Sequence, residues 1–99
     1  LGERDRWINM ELGECLTRLG KYEEAIEKLL EARRLYMAEG KAPYSEDLEL
    51  AYCYAALGDK NKAKYHMDSS IEALGAYAES EEYLKKRFTE IKEMINSLK

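Results

Sequence analysis

The chain has 99 residues, of which 45% are hydrophobic and 36% are charged, so it can bury one modest core but not two. Its formal net charge of −4 gives no long-range attraction to phosphate backbones or anionic membranes, so we expect neither a nucleic-acid nor a membrane partner. One His and two Cys leave few groups for catalysis or metal binding, and we expect no enzyme activity, cofactor or metal site.

The composition favours helices over strands. One proline and six glycines stand beside abundant Ala, Glu, Lys, Leu and Arg, which is typical of an all-α chain. Two cysteines in a short chain are expected to be free thiols in a reducing compartment, and no segment resembles a signal peptide, so a cytoplasmic location is expected. Because the chain begins at Leu1 and not at Met, we expect an excised fragment of a longer protein or a processed start.

The first two predicted helices run over about residues 3–19 and 22–38. In the first, apolar residues recur at spacings of three and four, as in an amphipathic helix: Ile8, Leu12, Cys15, Leu16 and Leu19. The second repeats the pattern with Tyr22, Ala25, Ile26, Leu29, Ala32 and Tyr36. Between them lies the pair Leu19-Gly20, where glycine can take the left-handed conformation that ends a helix.

Three further helices are predicted after Pro43, which stops helical continuation. Ser45 is expected to cap a helix over about 45–57, with Glu46 and Asp47 in its first turn, where acids suit the helix dipole. Asp59 or Asn61 is expected to cap the fourth helix, which Gly75 weakens or ends and whose inward stripe is Ala63, Met67, Ser70, Ile71 and Leu74. After Ser80, another expected cap, a fifth helix carries one narrow seam of Leu84, Phe88, Ile91, Ile95 and Leu98.

The chain contains an internal repeat. Sliding the sequence by 38 places sets six residues over identical ones: Glu11, Leu12, Cys15, Leu19, Gly20 and Ala25 over Glu49, Leu50, Cys53, Leu57, Gly58 and Ala63. We therefore expect a single domain over residues 1–99, with repeat one at about 3–40, repeat two at about 45–79 and a C-terminal capping helix at about 80–98.

These units resemble the tetratricopeptide repeat family. The first carries the pattern as Leu12-Gly13, Leu16, Gly20, Tyr22, Ala25, Leu29 and Ala32, and the second as Leu50-Ala51, Tyr54, Gly58, Ala63, Met67 and Ser70. The resemblance implies an all-α fold of antiparallel helix pairs stacked as a short right-handed α-solenoid, with about five helices. A unit of 38 residues, longer than the usual 34, is similar to the long-repeat members of the family.

The resemblance also implies a binding surface, because the first helix of each pair lines the concave face in this family. The residues of this chain in those positions are Trp7, Met10, Glu11, Glu14, Arg18, Leu48, Glu49 and Tyr52. This mixture of aromatic, apolar and acidic side chains favours an apolar or basic peptide segment of a partner protein. The alternative for the aromatic and methionine residues is simple packing in the core.

A protein-interaction module that binds through this face is therefore the predicted function. Some adaptors of the family bind a C-terminal carboxylate. We reject that function here because Met10, Glu14 and Glu49 stand where basic residues would be needed. The alternative function is self-association, as a homodimer through Trp7 and Ile8 at an unsealed first helix. His66 is expected to be exposed to solvent, and Cys15 and Cys53 are expected to lie beside core residues.

Overall fold

The computed structural model describes residues 2–98, and that part of the chain is all-α, as predicted. Its six helices are α1 (Gly2–Arg18), α2 (Tyr22–Ala38), α3 (Tyr44–Ala56), α4 (Lys60–Leu74), α5 (Tyr77–Ser80) and α6 (Glu82–Asn96). The short helix α5 was not predicted. Helix α1 packs mainly on α2 and α3 mainly on α4, while α6 lies against α3, α4 and α5.

The two helix pairs share one turn geometry. Helices α1 and α3 end, and helices α2 and α4 begin, at positions 38 residues apart. Gly20 and Gly58 both have positive φ, at 78° and 86°, as expected for glycines that end a helix. After Gly20, the backbone N–H of Lys21 donates to the carbonyl of Leu16 at 2.9 Å, and the residue after Gly58 makes the equivalent bond. The sequence repeat is therefore a structural repeat as well.

One of the three predicted helix caps is present. The side chain of Asp59 accepts a hydrogen bond from the backbone N–H three residues further on, at 3.2 Å. Ser45 is not a cap, because α3 begins one residue before it and Pro43 holds the N-cap position. Ser80 is not a cap either, because it is the last residue of α5, and Glu81 precedes the first turn of α6.

The core consists of two clusters that share helix α3. The first joins α1, α2 and α3 through Met10, Ala25, Leu29, Ala32, Leu50 and Cys53. The second joins α3 to the C-terminal helices through Leu48, Ala51, Ala55, Ala63, Met67, Ala78, Phe88, Ile91 and Ile95. The inward stripes predicted for α2, α4 and α6 supply most of these residues. In the described part of the chain, each helix falls short of the length and apolar content needed to cross a bilayer.

The apolar stripe predicted on α1 is mostly outside this core. Leu16 packs against the first cluster, but the remaining members are exposed: Ile8, Leu12, Cys15 and Leu19. Leu12 is 45% exposed and Cys15 is exposed as well, whereas Leu50 and Cys53, at the equivalent positions of α3, are fully buried. The difference arises because the first helix pair covers this face of α3, whereas no helix of residues 2–98 covers the equivalent face of α1.

Gly13 allows α1 and α2 to approach closely. A β-carbon added at Gly13 would lie 2.6 Å from Cγ and Cδ2 of Leu29, which is fully buried. Overpacking of this kind costs about 1–3 kcal/mol, and the better helix propensity of alanine returns up to about 1 kcal/mol. We therefore expect Gly13→Ala to lower the free energy of unfolding by about 1–2 kcal/mol, measured by urea denaturation.

The second repeat supplies a control for this prediction. Ala51 and Met67 occupy the positions equivalent to Gly13 and Leu29, so an Ala–Met pair already fits the same interface. Adding Leu29→Met to Gly13→Ala should recover more than half of the loss, because the flexible methionine can move away from the new methyl group. If the double variant lost the sum of the unfolding free energies lost by the two single variants, that result would contradict a steric clash between these two positions.

Candidate functional site

Helices α1, α3 and α6 together form a groove. It consists of two hollows, of about 530 and 340 Å³, which share Glu14, Glu49 and Tyr83 and are therefore continuous. The larger hollow is lined in addition by Arg6, Trp7, Met10, Tyr36, Tyr44, Ser45, Leu48, Glu81 and Leu84. The smaller is lined in addition by Thr17, Arg18, Tyr22, Tyr52, Arg87 and Glu90. A volume of this size is sufficient for several side chains of a peptide.

The structure brings together seven of the eight residues predicted for the binding face. They are Trp7, Met10, Glu14, Arg18, Leu48, Glu49 and Tyr52, and all of them line the groove. Glu11 does not line either hollow, because it lies on the outer side of α1 next to Leu12, where both side chains are exposed. Binding by these seven residues stays a prediction.

The apolar residues of the groove are divided between its floor and its rim. Met10 and Leu48 are buried and belong to the two core clusters, so their side chains form the floor. Trp7 stands at the rim and is 61% exposed. Tyr52 is half-buried, and its ring centre lies 6.2 Å from that of Tyr22. Core packing thus accounts for Met10 and Leu48, but not for Trp7.

Two arginines in the groove walls are held by carboxylates. Arg6 donates to both carboxylate oxygens of Glu46, at 2.6 and 3.2 Å, and its guanidinium lies 3.8 Å from the ring centre of Tyr36. Arg87 donates to Glu49 at 2.8 Å. The hydrogen bond to Glu46 raises the pKa of Arg6. Burial lowers the pKa of Arg87, but the hydrogen bonds and charges of Glu49 and Tyr83 together outweigh burial and raise it. Both positive charges are therefore already satisfied within the protein.

Glu14 lies at the centre of the groove, and its charge is poorly compensated. Burial raises the pKa of its carboxyl, and the nearby charges of Glu49 and Glu11 raise the pKa further. Arg18 and Arg87 lower it only in part. The ion pairs found among residues 2–98 do not include Glu14. The groove consequently presents an acidic group that favours an approaching cation.

Several groove residues were missed by the sequence reasoning. They lie on α6, at the start of α3 and at the outer ends of α1 and α2: Arg6, Tyr36, Tyr44, Tyr83, Leu84 and Arg87. The spacing of four between Tyr83 and Arg87, whose side chains are hydrogen-bonded at 3.2 Å, places both on one face of α6. That spacing is a usable signal only once α6 is known to lie beside α3.

The prediction that His66 is exposed to solvent was wrong. His66 is only 6% exposed, and its Nδ1 lies 2.7 Å from Oδ1 of Asp47. The same oxygen accepts a hydrogen bond from Nε of Arg33 at 2.7 Å, and Oδ2 accepts one from Ser69 at 2.9 Å. The imidazole also stacks on the ring of Tyr54, with centres 5.5 Å apart. We call Arg33, Asp47, His66 and Ser69 the Asp47 network; it joins α2, α3 and α4.

Asp47 is ionised within this network. Burial alone would raise the pKa of its carboxyl, but the hydrogen bonds from His66, Arg33 and Ser69 outweigh burial and hold the pKa below its usual value. Nδ1 of His66 therefore carries the proton and donates to the carboxylate. The expected role of Asp47 as a first-turn acid of α3 is correct in position, but its main partners are side chains of other helices.

The two cysteines are both free but lie in different surroundings. Cys53 is buried, and its Sγ lies 3.2 Å from Oγ1 of Thr17; burial raises the pKa of this thiol. Cys15 is exposed, so the expectation that it lies beside core residues was wrong. Residues 2–98 contain no group of three or more His, Cys, Asp or Glu side chains placed to hold a metal ion.

The groove and the Asp47 network are thus two places where polar side chains of residues 2–98 converge. The groove is open to solvent and carries a poorly compensated acid, whereas the network is buried and its polar atoms are paired. A comparison of the chain with protein-family models, with curated proteins and with solved structures finds no match.

Proposed function

We propose that this protein is a protein-interaction module that binds a short peptide segment of a partner in the groove between α1, α3 and α6. The observation that carries the proposal is the half-buried carboxylate of Glu14, which faces Glu49 without an ion pair of its own inside a groove with aromatic walls. The segment carries a Lys or Arg side chain next to a large apolar one.

We expect the cation of the partner to bind between the two hollows. Glu14 and Glu49 line both hollows, and Glu49 already forms an ion pair with Arg87. A Lys or Arg side chain beside Glu14 replaces the repulsion between these two acids with attraction in a partly desolvated site, where charge-assisted hydrogen bonds are strong. An anionic segment would meet the opposite effect.

We expect the apolar side chain of the partner to bind in the larger hollow. Met10 and Leu48 offer an apolar floor, and the exposed ring of Trp7 offers a wall. A few residues carry most of the binding energy of an interface, and tryptophan is among the residue types enriched in that group. Trp7 is therefore the anchor of the proposed site, and Glu14 selects the charge of the ligand.

The finer architecture proposed here is a short right-handed α-solenoid of the tetratricopeptide type, with the groove on its concave face. The 38-residue register, the matching helix ends and the close approach at Gly13 support it. Helix α6 then occupies the position that the first helix of a third repeat would have. It caps the stack, since it packs on both α3 and α4. The free thiols of Cys15 and Cys53 support the proposed cytoplasmic location.

A phage-displayed library of random 12-residue peptides, selected on the wild-type protein, tests this function. We expect the selected peptides to share a Lys or Arg within about three residues of a Trp, Phe or Leu. For a synthetic peptide of that sequence, fluorescence polarisation should show Kd rising about 10- to 30-fold in Trp7→Ala and about 5- to 10-fold in Glu14→Gln.

Matched controls separate the groove from the rest of the surface. Tyr77 is 65% exposed but lines no part of the groove, and Glu72 is an exposed acid on α4, so Tyr77→Ala and Glu72→Gln should leave Kd unchanged. The raised pKa of Glu14 means that its charge opposes folding at neutral pH, so Glu14→Gln should not destabilise the protein. Equal losses in the groove and control variants, or no enriched peptide, would contradict the proposal.

A further inference from the structure

The outer face of α1 carries an uncovered apolar stripe that is separate from the groove. Ile8, Leu12, Cys15 and Leu19 are all exposed and follow one another at spacings of four, three and four, over about 17 Å of helix. Inside the same molecule, Leu50 and Cys53 of α3, which are equivalent to Leu12 and Cys15, are buried against the first helix pair. The stripe thus has the character of a surface that packs on another helix.

We propose that α1 pairs with α1 of a second copy of this chain, in antiparallel orientation about a two-fold axis between Leu12 and Cys15. Ile8 then lies opposite Leu19 of the second copy, and Leu12 opposite Cys15 of the second copy, and the axis repeats both contacts. A large side chain meets a small one at the centre, as close packing of helices requires. This interface does not depend on peptide binding in the groove.

The charges beside the stripe favour a second copy over an unrelated partner. Glu11 and Arg18 are exposed and flank the stripe on the same side, and Arg18 Nη2 lies 3.4 Å from Sγ of Cys15. Antiparallel pairing places Glu11 opposite Arg18 of the second copy, and Arg18 opposite its Glu11, which gives two ion pairs. Parallel pairing would place Glu11 opposite Leu16 and give none. The stripe is therefore complementary to itself in one orientation.

The size of the stripe sets the strength of the dimer. Four layers over about 17 Å make a small interface, and such interfaces are typical of weak association. We therefore expect a dissociation constant in the range of about 10–500 μM. Sedimentation equilibrium of the full chain from about 10 μM to 1 mM should show the mass rising from 11.5 kDa toward twice that value.

Four single variants and one double variant test the orientation and the surface. Leu12→Glu should weaken association at least 10-fold, whereas Leu30→Glu, which changes a similarly exposed leucine on α2, should leave it unchanged. Glu11→Arg and Arg18→Glu should each weaken association about 3- to 10-fold, and the double variant should restore it. These side chains are exposed, so circular dichroism should show native helix content in every variant.

Specific outcomes would overturn this proposal. A mass of 11.5 kDa at all concentrations excludes the dimer, and an unchanged dimer in Leu12→Glu excludes this face. Failure of the double charge variant to restore association excludes the antiparallel orientation. Trp7→Ala, which lies in the groove and outside the stripe, should dimerise like the wild type, so loss of peptide binding and loss of the dimer are distinguishable.

Discussion

Asp47→Ala is expected to destabilise the protein by about 3–5 kcal/mol, because it removes the anion that pairs with Arg33 and leaves His66 without its hydrogen-bond acceptor. The side chain of Asp47 is only 1% exposed, so water cannot replace it as a partner for the groups it binds. Urea denaturation at pH 7, followed by circular dichroism, measures the change in the free energy of unfolding.

An acid on the surface of α4 serves as the control for this variant. Asp68 is exposed, and Asp68→Ala should change the free energy of unfolding by no more than about 0.5 kcal/mol. Similar losses in the two variants would show that the Asp47 network contributes little to stability. In that case its hydrogen bonds would only offset the cost of burying the charges.

The same carboxylate predicts how stability depends on pH. The pKa of Asp47 is lowered in the folded protein, so its stabilising contribution is present above about pH 4 and is lost as the pH falls through the lower, folded-state value. Asp47→Asn should therefore have reduced stability at neutral pH and a smaller further loss below pH 4 than the wild type. If the free energy of unfolding fell by the same amount below pH 4 in the two proteins, that result would contradict the lowered pKa of Asp47.

Ile91→Ala is expected to cost about 2–5 kcal/mol, because the side chain is fully buried between α6 and the helices beneath it. The matched control is Ile8→Ala, which makes the same chemical change on the uncovered face of α1 and should cost less than about 1 kcal/mol in the monomer. Thermal unfolding at low protein concentration compares the two variants.

The two isoleucines together test where the stack of helices is closed. A large effect at Ile91 and a small one at Ile8 show that α6 seals the C-terminal end and that α1 leaves its outer face free. Equal losses in the free energy of unfolding for Ile91→Ala and Ile8→Ala would contradict this difference between the two faces. A cost at Ile8 that appears only at high protein concentration would point to the interface between copies.

The helices could be predicted from the sequence because their signals are local. Apolar spacing defines each stripe, and the pairs Leu19-Gly20 and Leu57-Gly58 mark the turns, which the structure places 38 residues apart. Ser45 and Ser80 failed as caps because the position of Pro43 and the short helix α5 decide where the following helices begin. Neither effect follows from cap preference alone.

Contacts between distant parts of the chain limited the prediction of the site. The repeat identifies the equivalent faces of α1 and α3, so seven groove residues could be predicted. The repeat does not indicate where α6 lies, and Tyr83 and Arg87 were therefore missed. His66 was misjudged because Asp47 lies 19 residues away. The stripe on α1 shows the limit of periodicity, which predicts that a face is apolar but not what covers it.

Titration of the ¹⁵N-labelled protein with a library-selected peptide, followed by ¹H–¹⁵N correlation spectra, tests binding in the groove most directly. The largest shift changes should fall on groove residues of three helices, including the indole of Trp7, Glu14, Glu49, Tyr52 and Arg87. Changes confined to the outer face of α1 around Leu12, or to the exposed faces of α2 and α4, would contradict the proposed site.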